Sequence, residues 1–258
     1  MSLLRLDHVS RRFGGLVATD DVSLEIPGQG ISAVIGPNGA GKTTLFNVIS
    51  GFLAPSAGKV TFDGQDITGR PPEAIARLGL VRTFQLVQLF DDLTVLENVK
   101  VGFHMQTQGG LLSALLPGLA SRNEEQMVEE RARDLLRQTG LAAEAETMAA
   151  VLPYGRKRLL EITRALAAKP KLLLLDEPAA GLNKQETEAL AALLRGIAAA
   201  GTAILLIEHD MSLVMSVTDQ IAVLDFGRLI ARGTPEEVRA NKDVIAAYLG
   251  TQSEAAHA

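Results

Sequence analysis

From residue 31 to residue 50 the chain reads ISAVIGPNGAGKTTLFNVIS: an apolar run, a break at Gly36 and a helix-compatible pattern resuming at Lys42. Strand, tight loop and helix in that order belong to an α/β fold. Gly36, Gly41, Lys42 and Thr43 fit G-x-x-x-x-G-K-[ST]. In that pattern glycines let backbone N–H groups curl around phosphate oxygens, and the helix N-terminus adds its partial positive charge. Lys42 would then reach the β- and γ-phosphates and the Thr43 hydroxyl would ligate Mg²⁺. The plainer reading, a glycine-rich turn with a solvated lysine, is weakened by the strand before the loop and the helix after it.

At 258 residues and 47% hydrophobic content the chain is globular, with enough apolar material for a sizeable core. Its 25 basic and 30 acidic residues give a net charge of −5, and no dense lysine or arginine cluster offers a polyanion footprint, so no nucleic acid is expected as partner. The absence of cysteine excludes disulfides and thiolate metal sites. No leader-like start is expected, and no stretch reaches the roughly 18 uncharged apolar residues of a membrane span. Any membrane role is therefore borrowed from another chain.

In chain order, residues 4–9 and 22–26 alternate apolar with polar residues as half-buried strands do. Between them Phe13 lies on a glycine-flanked loop. It can lie flat on a purine ring, or be the core residue that a lone phenylalanine more often is. Residues 60–63 and 80–84 read as strands, with a short helix opened by Arg70-Pro71-Pro72-Glu73. Gln85 follows at the carboxyl end of a strand, where it can touch Mg²⁺ or an attacking water, or be an ordinary loop glutamine. Residues 94–168 read as an inserted helical part, in which the uncharged stretch 109–120 is too short to span a membrane.

Residues 172–175 are wholly apolar and end in Asp176-Glu177-Pro178, a buried parallel strand delivering two carboxylates to its edge. Side chains alternate along a strand, so Asp176 can hold Mg²⁺ beside Thr43 while Glu177 faces the water that attacks the γ-phosphate. Residues 184–200 form an Ala- and Leu-rich helix closed by Gly201, and the apolar run from Ala203 ends at His209, placed to hydrogen-bond a phosphate or the water. A hairpin around Asp225-Phe226-Gly227 follows. A last helix then covers residues 235–249, and the small, polar residues 251–258 are expected to be disordered.

The ordered set of P-loop, Gln85, helical insert, LPYGR, LLLLDEP, AAGLN and EHD resembles the ATPase subunit of an ABC transporter over nearly the whole chain. The resemblance implies a P-loop NTPase fold with a RecA-like mixed-sheet core. It divides the chain into an antiparallel β part (1–30), the P-loop core (31–93 and 169–234), the helical subdomain (94–168) and a C-terminal helix and tail (235–258). It makes Phe13 the adenine-stacking aromatic, and Gly36, Pro37, Asn38, Gly39, Ala40, Gly41, Lys42, Thr43 and Thr44 the phosphate cradle for ATP. Gln85 becomes the loop coupling Mg²⁺ to the transmembrane chains, Asp176 the Mg²⁺ acid, Glu177 the catalytic carboxylate and His209 the switch histidine. The loop 180–183 would touch the opposite subunit. Leu152, Pro153, Tyr154, Gly155 and Arg156 stand for the usual L-S-G-G-Q signature, which would act in trans; the serine hydroxyl is missing, a cation replaces the glutamine, and Asn183 stands where aspartate is commoner.

The tyrosine signature, AAGLN, EHDMSLVM and the ending GTPEEVRANKDVIAAYLG resemble most closely the ATPases of branched-chain amino acid uptake systems, with urea-uptake and lipopolysaccharide-export ATPases as near relatives. The resemblance implies a cytoplasmic subunit, peripheral on the inner face of the bacterial membrane, working with integral-membrane permease chains, a second ATPase subunit and an extracytoplasmic solute-binding protein. Two other classes compete. A P-loop small-molecule kinase would need a lid and an acceptor pocket, and Glu177 beside Asp176 favours water instead. A soluble ABC-type ATPase acting on ribosomes or DNA usually carries two nucleotide domains, whereas each motif here occurs once.

Overall fold

The computed structural model describes residues 2–83, 88–103 and 119–255. Strands β1 (Ser2–Phe13), β2 (Leu16–Pro27), β4 (Ala57–Phe62) and β5 (Gln65–Asp66) form an antiparallel sheet in the order β2-β1-β4-β5. The first two strands run further than the alternation over residues 4–9 and 22–26 predicts. Register shifts between Leu6 and Arg12 keep the ladder paired to its tip, where Phe13 faces Leu16 across the Gly14-Gly15 turn. Phe13 thus ends a strand instead of riding on a loop.

The second sheet has the order β10-β9-β3-β8-β7-β6, built from β3 (Ile31–Ile35), β6 (Leu80–Arg82), β7 (Leu172–Asp176), β8 (Ala203–Ile207), β9 (Gln220–Asp225) and β10 (Arg228–Gly233). All neighbours are parallel except the β9–β10 hairpin. Its strands read as unbroken apolar runs because both faces are covered. Val34, Leu174 and Leu205 point to the side shared with the antiparallel sheet and α1 (Lys42–Ile49). Their neighbours Ala33, Leu173 and Leu206 point to the side covered by α6 (Lys184–Ala199) and α7 (Met211–Val217). Strand β6 stops at Arg82, although Thr83 N–H still donates to Leu174 O over 2.9 Å. Phe84 and Gln85 lie outside the described residues.

A third apolar cluster joins α3 (Val95–Phe103), α4 (Leu119–Gln138) and α5 (Tyr154–Ala167), through Val95, Val99, Ala132, Leu136 and Leu160. Of the uncharged stretch 109–120, residues up to 118 fall outside the described ones. Among the described residues no helix is long and apolar enough to cross a membrane.

The tail differs from the single helix expected over residues 235–249. It forms α8 (Pro235–Ala240) and α9 (Lys242–Ala255), broken at Asn241, whose ψ of 123° is extended. The Asn241 side chain explains the break: its Oδ1 accepts from the N–H groups of Asp243 (2.8 Å) and Val244 (3.3 Å), a cap that replaces continued helix bonding. Residues 251–255, expected to be disordered, continue α9. Adding residues to an existing helix needs no new nucleus, and no proline intervenes.

Candidate active site

The loop after β3 closes tightly on its surroundings. At Gly36 a Cβ would overlap the Leu224 carbonyl oxygen, and at Gly41, where φ is 96°, it would overlap the Ala18 carbonyl oxygen. Only glycine fits either position. Gly227 N–H donates to Ala40 O over 3.0 Å, which ties the loop to the β9–β10 turn. Helix α1 begins with no side-chain cap, so its first N–H groups remain as donors for an anion. Asn38, Gly39 and Thr43 are exposed at the mouth, with Thr44 half-buried behind them.

The Lys42 side chain folds back into this loop. Its Nζ donates to Gly36 O (2.8 Å) and Pro37 O (2.9 Å) and is buried there. Burial pulls its pKa below the ordinary lysine value, while the charges of Glu177 and then Asp176 push it back up. Those three charges therefore share one site, as the sequence order implies.

Asp176 ends β7, buried at the sheet edge. Its Oδ2 accepts from Arg82 Nη2 over 2.8 Å, a neighbour that the sequence reading did not single out. Glu177 follows with φ of 46°, in the left-handed region that a residue with a Cβ rarely occupies. Its side chain is 24% exposed, with Oε2 3.8 Å from His209 Nδ1. The His209 ring is 62% exposed at the end of the loop after β8. Next to His209 in the chain, Glu208 is fully buried, and its carboxylate accepts from the N–H groups of Ala179 (2.7 Å), His209 (3.0 Å) and Asp210 (3.2 Å). Its signal in the sequence was only its place as the first polar residue after an apolar strand.

Phe13 is 43% exposed, so it is not the core residue that a lone phenylalanine usually is; the Arg11 guanidinium sits 4.7 Å from its ring centroid. Along the signature, Leu152 is buried, Pro153 is the exposed N-cap of α5, and Tyr154 is exposed with its ring against Gly181. Gly155 is buried, and a Cβ there would overlap the Glu186 carboxylate unless that side chain moved. Arg156 is turned within its own chain: Nε donates to Glu144 Oε1 (2.9 Å) and Nη2 to Gly140 O (2.8 Å). The cation that replaces glutamine is thereby neutralised locally. Asn183 caps α6 through a capping box with Glu186, a role it fills as well as aspartate would.

These donors fit a phosphate chain with Mg²⁺. The loop offers free backbone N–H groups and a buried ammonium, and Thr43 and Asp176 would offer the few oxygen ligands that Mg²⁺ takes from protein when phosphates supply others. No group of three or more acidic, histidine or cysteine side chains among the described residues forms an all-protein metal cage.

A glycine loop leading from a central parallel strand into a helix, with paired acids at the edge of the sheet, defines a P-loop nucleotide-hydrolysing cassette. The comparisons agree. A family model described as ABC transporter matches residues 19–180, and one described as branched-chain amino acid ATP-binding cassette transporter matches residues 228–254, which hold β10, α8 and most of α9. The high-affinity branched-chain amino acid transport ATP-binding protein LivG of Salmonella typhimurium is 48% identical, over 96% of this chain and 98% of that protein. BraF of Pseudomonas aeruginosa, with the same description, is 45% identical over the same shares. Among solved structures, the ADP conformation of an ATP-binding cassette of an ABC transporter superposes with a TM-score of 0.84 at 34% identity, covering 97% of this chain and 99% of that one. This chain belongs to the ATP-binding proteins of ABC transporters, in the branch that holds LivG and BraF.

Proposed function

We propose that the chain is the ATP-hydrolysing subunit of a branched-chain amino acid importer. It would lie on the cytoplasmic face of the membrane, against permease chains that receive solute from an extracytoplasmic binding protein. A second ATPase subunit, identical or similar, would complete each nucleotide site. The observation that carries the hydrolytic part is the shared site of Lys42, Asp176 and Glu177, where a half-open carboxylate on a fixed backbone sits within electrostatic reach of the P-loop ammonium. The branched-chain assignment rests on the likeness to LivG and BraF and on the family match at residues 228–254.

In this reading the loop from Gly36 to Thr44 binds the phosphates through its N–H groups, and Lys42 swings from the Gly36 and Pro37 carbonyls to the β- and γ-oxygens. Thr43 and Asp176, with Gln85 from the sequence reading, would hold Mg²⁺, which when bound would spread the charge that develops on the phosphoryl oxygens. Glu177 accepts a proton from the attacking water, and His209, 3.8 Å from it, orients the same water or the γ-phosphate. Phe13, exposed at the end of β1, would offer its face to the adenine ring.

Glu177→Gln tests the assignment. Nucleotide affinity in calorimetry should stay near that of the unaltered protein while steady-state hydrolysis falls by about 10² or more, the scale of lost general-base help. Turnover within a few-fold of the original would remove Glu177 from the reaction. Leucine uptake into vesicles carrying the cognate permease, compared with urea as solute, tests the substrate class.

A further inference from the structure

Helix α5 carries the signature at its N-terminus and, one turn further on, a wholly buried arginine. Arg158 has a side-chain exposure of 0%; its Nη1 donates to Glu161 Oε2 over 2.8 Å, and its Nη2 donates to the backbone carbonyl of Glu177 over 3.1 Å. A buried ion pair is a poor way to gain stability, since apolar residues of the same volume serve as well or better. What an apolar pair cannot do is reach a carbonyl in a fixed direction. Arg158 does this at a residue whose backbone is in the left-handed region: Glu177 holds φ of 46°. The rest of that turn is tied to other elements. Glu177 N–H donates to Ile207 O of β8 (3.0 Å), its carbonyl also accepts from Ala180 N–H (3.1 Å), and Glu208 accepts from Ala179 N–H (2.7 Å). Arg158 is the one of these tethers that comes from the signature helix. The same helix touches the turn again at its tip, where Tyr154 packs on Gly181.

We infer that Arg158 is a positioning residue for hydrolysis: it fixes the backbone of Glu177 from α5, so that the placement of the signature helix sets the aim of the carboxylate. The inference rests on the reading of Glu177 as the group that takes the proton from water. Its consequence is coupling within one chain. When α5 is drawn against a nucleotide held by another subunit, the Glu177 of its own site shifts with it. Glu161 pairs with the arginine and orients it, and the i to i+3 spacing of the two on one helix face is the sequence signal for the pair.

The test uses two variants of the full chain. Arg158→Lys keeps the charge opposite Glu161 but cannot place two donors in the fork that reaches both acceptors. Arg158→Met/Glu161→Leu removes both charges, so no buried carboxylate is stranded. Each should leave ATP affinity within about twofold and slow turnover by about ten- to a hundredfold, the range that follows from misplacing a catalytic group by roughly an ångström. Combining Arg158→Lys with Glu177→Gln should add little further loss in single-turnover hydrolysis, because the arginine acts through the carboxylate. Hydrolysis within twofold of the unaltered protein in Arg158→Lys overturns the inference, and so does a loss that adds in full to that of Glu177→Gln. If the double-neutral variant does not fold, Arg158→Lys and its combination with Glu177→Gln decide alone. Glu177→Gln by itself separates the two levels: normal turnover there removes the reading of the site and the inference with it, whereas a large loss there beside normal turnover in Arg158→Lys removes only the inference.

Discussion

Arg82 donates to the Asp176 carboxylate over 2.8 Å, with the side chains only 6% and 4% exposed. The same guanidinium reaches Asn47 Oδ1 (2.7 Å) and Ser50 Oγ (2.9 Å) at the end of α1 and faces the rings of Phe46 and Phe52. It therefore holds the acid of β7, the end of the P-loop helix and the strand that leads to Gln85 in one arrangement. Removing one member of a buried pair strands the other charge, at a cost of about 3–5 kcal/mol. Arg82→Leu should lower the urea midpoint of the nucleotide-free protein accordingly, with an unchanged denaturant slope. Arg82→Leu/Asp176→Leu should recover most of that loss. A single variant as stable as the original would mean that water reaches the Asp176 carboxylate and that Arg82 is not needed to solvate it.

Lys42 carries a pH dependence whose sign follows from its burial. The unfolded chain holds the lysine proton at the ordinary value, and the folded chain releases it at lower pH because burial outweighs the attraction of Glu177 and Asp176. Between the two values the unfolded state binds more protons, so stability from this group rises with pH across that window and is lowest below it. The check is the urea midpoint of the nucleotide-free protein minus that of Lys42→Met, taken from neutral to alkaline pH. The difference should move in favour of the unaltered protein as pH rises. A flat difference would show that the ammonium is not desolvated.

How much of this was legible beforehand depended on what each feature needs. The glycine loop, the apolar strands of the core sheet and the acids at their ends are local patterns, and residues 31–50 and 172–177 folded as they read. The break at Asn241 was missed because an asparagine inside a helical pattern gives no period change; only its bonds to the N–H groups of Asp243 and Val244 reveal the cap. Arg82 and Arg158 were passed over for a different reason. The Asp176 carboxylate and the Glu177 carbonyl that they reach lie 94 and 19 residues away in sequence, and the i to i+3 pairing of Arg158 with Glu161 reads the same for a buried arginine as for a solvated one. The buried Glu208 was hidden in the same way beside the more conspicuous His209.

Phe90 tests the contact with the membrane chains. It is 50% exposed, with the Arg164 guanidinium 5.6 Å from its ring, at the rim of a groove of about 480 Å³ lined also by Val81, Gly102 and Ala165. Asn98 pins its backbone from both sides, donating to Phe90 O and accepting from Phe90 N–H, each over 3.0 Å. The ring is therefore presented on a fixed support, and Phe90→Asp should leave the fold intact. If a permease segment seats in this groove, that variant keeps basal hydrolysis within about twofold while solute uptake falls by about tenfold or more, since the apolar ring that the segment would pack on is replaced by a charge that is costly to desolvate. Equal loss of both activities would point to the fold instead.

The last prediction is that each nucleotide site is completed by two chains. Each chain has a single glycine loop and a single signature, and the exposed Pro153 and Tyr154 open the uncapped N-terminus of α5 to the outside. Gly155 is the obvious place for a lesion, but a side chain there would collide with Glu186 of the same chain and disturb the α6 cap. Pro153→Glu avoids this. Its backbone, at φ −56° and ψ 152°, suits any residue, and a carboxylate at a helix N-terminus favours the fold while repelling phosphate. Lys42→Ala removes the loop ammonium instead. Each variant alone should be inactive, because both sites of its dimer carry a lesion. Mixed in equal amounts, half of the dimers are heterodimers with one intact site, built from the loop of the Pro153→Glu chain and the signature of the Lys42→Ala chain. Hydrolysis should then return to about a quarter of the original, one site of two in half of the molecules. Sites completed within one chain would give no recovery at any mixing ratio. If the chain pairs with a similar ATPase subunit and not with itself, the two lesions are placed across that pair, and recovery of one intact site decides in the same way.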